Sequence, residues 1–193
     1  GRNDERVADY VTDIVGATNV IFRRDVQLHW DVQDVVIWKT RPAFELPHDE
    51  YYEAFGTSAA AMQQASESLH TGYALYIAGL PAAFKRSCHI LMHTHAQMIS
   101  RPYIGIAGGS GAGTNSSCLF VLKGVDDFDA DGDSYFLDTW LFCHNLGHMC
   151  NAEHTNCYSP PIDCCTVGCG CTSITPTIGT IMSYCNYLAQ NGG

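Results

Sequence analysis

The sequence predicts a mixed α/β (α+β) domain that ends in a small disulfide-rich subdomain. Three observations carry that expectation. Segments with helical spacing of apolar residues alternate with segments of strand-like alternation up to about residue 151. Beyond it the chain becomes irregular and dense in Cys, Pro, Gly and Thr. Eight of the ten cysteines fall between Cys143 and Cys185. A length of 193 residues with 46% hydrophobic content suits one domain with a sizeable core and speaks against wholesale disorder. The expected division is an upper part, residues 1–151, and a lower Cys-rich part, residues 152–193.

The elements follow in order. Val7, Val11, Ile14 and Val15 recur at helical spacing over residues 4–16, with Gly16 as the stop. Val26, Leu28, Trp30 and Val32 alternate with polar residues, and the run continues through Val36 to Trp38, which reads as a strand. Pro42 and Pro47 mark a loop, and residues 50–70, rich in Ala, Gln, Glu and Met, read as a helix. His89–Gln97 reads as a second strand, Gly105–Gly113 as a glycine-rich loop and Cys118–Val125 as a short apolar strand. The glycine loop has no following Lys-Ser/Thr, so it does not read as a phosphate cradle. An acidic loop, Asp126–Asp133, leads into a helix over Ser134–Asn151.

Composition excludes several functions. With a formal net charge of −10 the chain offers no basic patch for phosphates, so nucleic acid and anionic membrane are not expected partners. The longest apolar stretch, Tyr73–Phe84, is interrupted by Gly79 and Pro81, and no membrane insertion is expected. An even, crowded set of cysteines reads as disulfides and hence as a secreted, extracellular protein. The other reading, a metal cluster of Cys164, Cys165, Cys169 and Cys171, matches no common zinc spacing.

The chemistry concentrates in Phe142–His154. His144 and His148 are four residues apart on an expected helix, so both imidazoles leave one face and can share a metal. His154, six residues on, reaches the same metal only if the chain turns sharply. Asn151 stands where that turn is needed, and Asn tolerates the left-handed conformation. Three neutral imidazoles leave a fourth zinc position open to water, the arrangement of a catalytic site.

This pattern resembles the metzincin signature, and Gly179-Thr180-Ile181-Met182-Ser183-Tyr184-Cys185 resembles the Met-turn of its reprolysin (adamalysin-like) branch. The likeness is sharp from residue 140 to 187 and loose before that. It implies a mixed, mostly parallel five-stranded sheet with helices, a cleft along the sheet's lower edge, Zn2+ on His144, His148 and His154, and Met182 beneath the metal. It also implies a zinc metalloendopeptidase acting on protein or peptide bound in extended conformation. The family's usual helix after the Met-turn has no room before Gly193, so the C-terminus reads as truncated.

One substitution bears on activity. Asn145 occupies the position at which the family carries its general-base glutamate. An amide can hydrogen-bond water but cannot take its proton. Glu153, beside the third histidine, and Tyr184, two residues after Met182, are the candidate substitutes; the resemblance directs Glu153 away from the cleft and makes Tyr184 packing or a pocket wall. Two function classes therefore stand open: a metalloendopeptidase, or a catalytically inactive secreted module that binds protein or serves as structure. A disulfide-rich binding domain without zinc is the third reading. Asp127, Asp129, Asp131, Asp133 and Asp138 also fit the spacing of a Ca2+ loop around Gly132, against the plainer reading of a solvated acidic loop. His93 and His95 share one face of an expected strand and are candidates to contact substrate, as is Tyr184. Cys143 and Cys150 are expected on a helix face turned from the ligands, buried or disulfide-bonded.

Overall fold

The computed structural model describes residues 2–45, 59–84, 86–93, 105–108, 116–121, 132–175 and 179–185. Helix α1 spans Arg2–Val26, α2 Ala59–Ala78 and α3 Gly132–Met149. Three strands, β1 (Cys88–His93), β2 (Gly105–Gly108) and β3 (Ser116–Val121), pair in the order β1-β3-β2. β1 runs parallel to β3, with Cys88 opposite Ser116 and His93 opposite Val121, while β2 is antiparallel to β3.

Strand alternation places this sheet between helices. Cys88, Ile90 and Met92 pack against the cluster formed by α1 and α3, whereas Leu91 joins the cluster under α2. A strand covered on both faces must be apolar throughout, which is why Ile90-Leu91-Met92 shows no polar break. On α2, Ala65, Leu69, Tyr73 and Ile77 recur every four residues and are buried together. On the other face of the sheet, Tyr10, Ile14, Val15 and Phe22 of α1 meet Trp140, Leu141, Phe142, Cys143, Leu146 and Met149 of α3. From Asp138 to Met149 helix α3 is buried at every position but the half-buried His148, which makes this stretch a rigid support for anything it carries.

Several expectations are corrected. Helix α1 does not stop at Gly16. It continues to Val26 because Thr18, Asn19 and Phe22 carry its buried face onward. It ends where Gln27 adopts a left-handed φ of 58° and the Leu28 N–H turns back to the Phe22 carbonyl at 3.2 Å. A Cβ at Gly16 would meet nothing within 4 Å. Gly16→Ala is therefore expected to stabilise the protein by about 0.8–1.0 kcal/mol, read as a higher denaturant midpoint. A lower midpoint would mean that the helix breaks where the sequence suggested.

The run 27–38 is not a ladder strand among the described residues. Alternation supplies a strand's side chains but not its partner backbone. What holds this segment is the Asn19 amide. Its Nδ2 donates to the Trp30 carbonyl at 2.8 Å and its Oδ1 accepts the Trp30 N–H at 2.7 Å, so one side chain stands in for a neighbouring strand. Arg86 holds the far end through Asp34 at 3.1 Å. Conversely, Gly105–Gly108 is not loop but β2, because strand pairing uses backbone groups that glycine retains. The helix expected over 50–70 lies at Ala59–Ala78, and β1 and β3 cover the first parts of the strands expected at 89–97 and 118–125. The expected five-stranded sheet is represented, among the described residues, by these three strands.

The Cys-rich region is held by Cys157–Cys169, Cys164–Cys171 and Cys165–Cys185. Its cysteines are thus disulfides and not a metal cluster. Cys143 is a buried thiol that donates to Thr18 Oγ1 at 3.3 Å, and burial pushes it up to about 11, so it is no nucleophile at neutral pH. Cys150 is exposed and outside the disulfides. No helix among the described residues is long and apolar enough to cross a membrane.

Candidate metal centre

The site is built on the C-terminal turns of α3. The helix ends in two crossed backbone bonds, Ala152 N–H to the Gly147 carbonyl at 3.0 Å and Asn151 N–H to the His148 carbonyl at 2.8 Å. This closure requires a left-handed residue at 151, and Asn151 has φ 66°. The turn expected there thus forms, and it swings His154 back over the helix.

The three imidazoles meet at their Nε2 atoms. His144 and His148, His144 and His154, and His148 and His154 each stand 3.1 Å apart through Nε2. Partners on the opposite ring nitrogens set the tautomers. His144 Nδ1–H donates to the Ile181 carbonyl at 2.8 Å, and His148 Nδ1–H donates to the Ala152 carbonyl at 2.8 Å. In the neutral rings both Nε2 lone pairs then face inward with no proton between them. Such a convergence is repulsive unless a cation lies at its focus, and this group can hold a metal ion.

Burial lowers His144 to about 4, opposed by its hydrogen bond to the Ile181 carbonyl and assisted to a smaller extent by His148 and His154. Burial and His148 also lower His154, with Glu153 opposing. Between 6.5 and about 4 the unfolded chain binds more protons than the folded one, so stability is full above 6.5 and declines as the pH falls through that window. For His144 alone the loss is about 3 kcal/mol. Chelator-treated protein unfolded in denaturant at a series of pH values should show it; a flat profile from 7 to 4 would mean solvated rings.

Met182 lies against the same helix. A Cβ on Gly147 would overlap the Met182 Sδ, so the glycine is what lets the 179–185 turn approach between His144 and His148. Thr155 N–H fixes that turn by donating to the Met182 carbonyl at 3.2 Å, and Cys185 bonds it to Cys165. The turn delivers two groups, the Ile181 carbonyl on His144 and the Tyr184 hydroxyl. That hydroxyl lies 3.0 Å from His154 Nε2, the nitrogen facing the metal position, and its ring packs on His154 with centroids 4.7 Å apart. Burial raises the phenol above its usual range, so it stays protonated at neutral pH and serves as a donor.

Asn145 is 1% exposed, and its Nδ2 donates to the Leu141 carbonyl at 2.8 Å one turn earlier. Its amide is committed to its own helix. Glu153 is exposed on the outer side of the turn.

The other candidates separate. His93 closes β1, and His95 lies outside the described residues. So do Asp127, Asp129 and Asp131. The calcium reading is corrected at its C-terminal half. The helix already begins at Gly132, which puts Asp133 in its first turn, and Asp138 is fully buried, accepting Tyr10 O–H at 2.6 Å. A side chain directed at Tyr10 inside the α1–α3 interface does not close a solvent-facing loop.

Sequence reasoning missed Trp140, whose ring tilts over His144 at a centroid distance of 5.4 Å. Extending the four-residue spacing of His144 and His148 backwards by one step would have found it. Compared with protein-family models, with curated proteins and with solved structures, the chain finds no match in any of the three.

Proposed function

We propose that this chain is a secreted Zn2+-binding domain on the metzincin, adamalysin-like plan, one that binds protein or peptide at its metal site and hydrolyses it poorly or not at all. The observation that carries the reading is the convergence of three Nε2 atoms at 3.1 Å, two of them with Nδ1 anchored to backbone carbonyls. His144, His148 and His154 would hold the metal through these three Nε2 atoms, whose 3.1 Å separations suit nitrogens that share one zinc ion. Imidazole ligands and one open position suit zinc better than calcium or magnesium, which take oxygen.

Bound zinc supplies a Lewis acid at the open position. Of the protein's own groups, the Tyr184 hydroxyl stands at His154 Nε2, and Asn145, the residue after His144, is a neutral amide bonded to the Leu141 carbonyl. A peptidase of this plan needs a carboxylate to take a proton from water and return it to the leaving amine. Asn145 holds no proton acceptor of that strength, and Tyr184, held protonated, is no base. Disulfides and the absence, among the described residues, of a membrane-crossing helix agree with secretion. The five-stranded sheet of that plan, with an extended ligand along the cleft edge, belongs to the same proposal.

Metal analysis of the purified protein, combined with a peptide-library digest with and without chelator, tests it. One zinc per chain and no chelator-sensitive cleavage is the expected result. Cleavage that chelator abolishes would return the working-peptidase reading. Protein that takes up no zinc would defeat both.

A further inference from the structure

The disulfide that ties down the 179–185 turn has a buried carboxylate beside it, and a regulatory role for the pair rests on the zinc-binding reading above. Three contacts make that turn part of the metal centre: the Ile181 carbonyl on His144 Nδ1, Met182 against Gly147, and the Tyr184 hydroxyl at His154 Nε2. Its covalent tie, among the described residues, is Cys165–Cys185. The hydrogen bonds that help to hold it are Thr155 N–H to the Met182 carbonyl at 3.2 Å and, within the turn, Cys185 N–H to Ser183 Oγ at 3.0 Å.

Asp163 is that carboxylate. It is 7% exposed, and one of its carboxylate oxygens, Cys165 Sγ and Cys185 Sγ all lie within 4.8 Å of one another. Its Oδ1 accepts the Cys165 N–H at 3.2 Å, while its Oδ2 is buried and has no hydrogen-bond partner among the described residues. A buried acceptor without a donor is costly, and a disulfide carries no hydrogen to offer it. Two thiols do. Opening the bond supplies the donor that the closed form withholds, and a hydrogen bond to a charged acceptor is the stronger kind. The carboxylate therefore favours the reduced pair, as neutral thiols, over the disulfide. Cys165 is buried and Cys185 is partly exposed, so an external thiol meets Cys185 first.

We propose that Cys165–Cys185 is a redox switch on the metal centre: Asp163 poises it for reduction, and its opening frees the 179–185 turn and weakens metal binding by the three histidines. The reductant is an external thiol, two molecules for each disulfide. The first, as thiolate, attacks Cys185 Sγ. The S–S bond breaks and its electron pair goes to Cys165 Sγ, which takes up a proton and donates a hydrogen bond to Asp163. The second thiolate attacks the outer sulfur of the mixed disulfide and leaves joined to the first as the oxidised thiol, and Cys185 Sγ takes up the second proton. Release of the turn removes the Ile181 carbonyl from His144, and loss of such an outer partner lowers metal affinity about 10- to 100-fold. Linkage is reciprocal, so zinc opposes the reduction by the same factor.

The test equilibrates the full chain in a series of reduced-to-oxidised glutathione ratios, with saturating zinc or with a chelator. Alkylation traps the thiols, and peptide mass reads each disulfide. Without zinc, Cys165–Cys185 is expected to open at a lower ratio than Cys157–Cys169 or Cys164–Cys171. Asp163→Asn should raise the ratio at which it opens about tenfold, or about 30 mV, and leave the other two where they were. Zinc should raise it about 10- to 100-fold. A Cys165–Cys185 bond that is not the first of the three to open overturns the role of Asp163, as does an Asp163→Asn chain that opens at the same or a lower ratio. The joint change Cys165→Ser and Cys185→Ser tests the coupling without touching Asp163: zinc, measured against a chelator of known affinity, should bind about 10- to 100-fold more weakly. Unchanged affinity there, or an opening ratio that zinc leaves in place, overturns the switch. Oxidised protein that takes up no zinc overturns the zinc reading and the switch with it, whereas the zinc-free ratios decide the part played by Asp163 on their own.

Discussion

Asn145→Glu is expected to raise chelator-sensitive peptide hydrolysis by about 10²- to 10⁴-fold, the contribution typical of a positioned general base. Three imidazoles that converge on one point, and a turn that orients one of them, already stand in place. The substitution also removes the amide bond to the Leu141 carbonyl and puts a carboxylate where the residue is 1% exposed. A lower unfolding temperature is therefore expected alongside the gain, because a buried charge must find its compensation in the metal. Asn145→Gln is the control: it adds length without basicity and should stay inactive. Glu with zinc bound and no gain in hydrolysis would show that the site lacks more than its base, and the peptidase plan would lose its support.

Gly147→Ala is expected to destabilise the metal-free protein by about 1–3 kcal/mol and to weaken zinc binding about 10- to 100-fold. On helix propensity alone the change should help by about 1 kcal/mol. The overlap of the new Cβ with Met182 Sδ decides the sign, because a packed core answers an added methyl with displaced neighbours. What moves is the 179–185 turn, which carries the Ile181 carbonyl on His144 and Tyr184 on His154. Loss of an outer hydrogen-bond partner of a metal ligand has the affinity cost stated. Competition against a chelator of known affinity reads the second effect. Adding Met182→Ala should restore part of the stability; a plain gain in stability with zinc binding intact would mean that the turn does not sit on Gly147.

How much of this the sequence disclosed depends on the range of each signal. The ligand set was legible because His144, His148, Asn151 and His154 lie within one helix end and one turn, where spacing fixes geometry. The three disulfides were legible as a class, though not as pairs, since connectivity needs coordinates. The groups that orient the ligands were not legible from spacing: the Ile181 carbonyl and Met182 reach α3 only through the tertiary fold. Local signals misled in both directions. Gly16 resembled a helix stop, but its φ is not left-handed, and the residues after it continue the buried face. Residues 26–38 alternate like a strand, yet a ladder is a property of two segments. The glycines at 105–108 masked a strand because the bonds that make it are main-chain bonds. Asp138 matched a calcium position by count while the helix start at Gly132 had already turned it inward.

The three disulfides have one more consequence, for survival among proteases. Each joins a cysteine at or before Cys165 to one at or after Cys169: Cys157 to Cys169, Cys164 to Cys171, Cys165 to Cys185. The link between, Thr166–Val167–Gly168, includes exposed Val167 and Gly168 and is the natural place for a cut. A chain nicked there is severed as a polymer but remains one molecule, tied three times across the wound. His154 stays on one fragment and Tyr184 on the other, still face to face, so digestion that separates the two pieces on a reducing gel leaves the three-histidine unit whole without reductant.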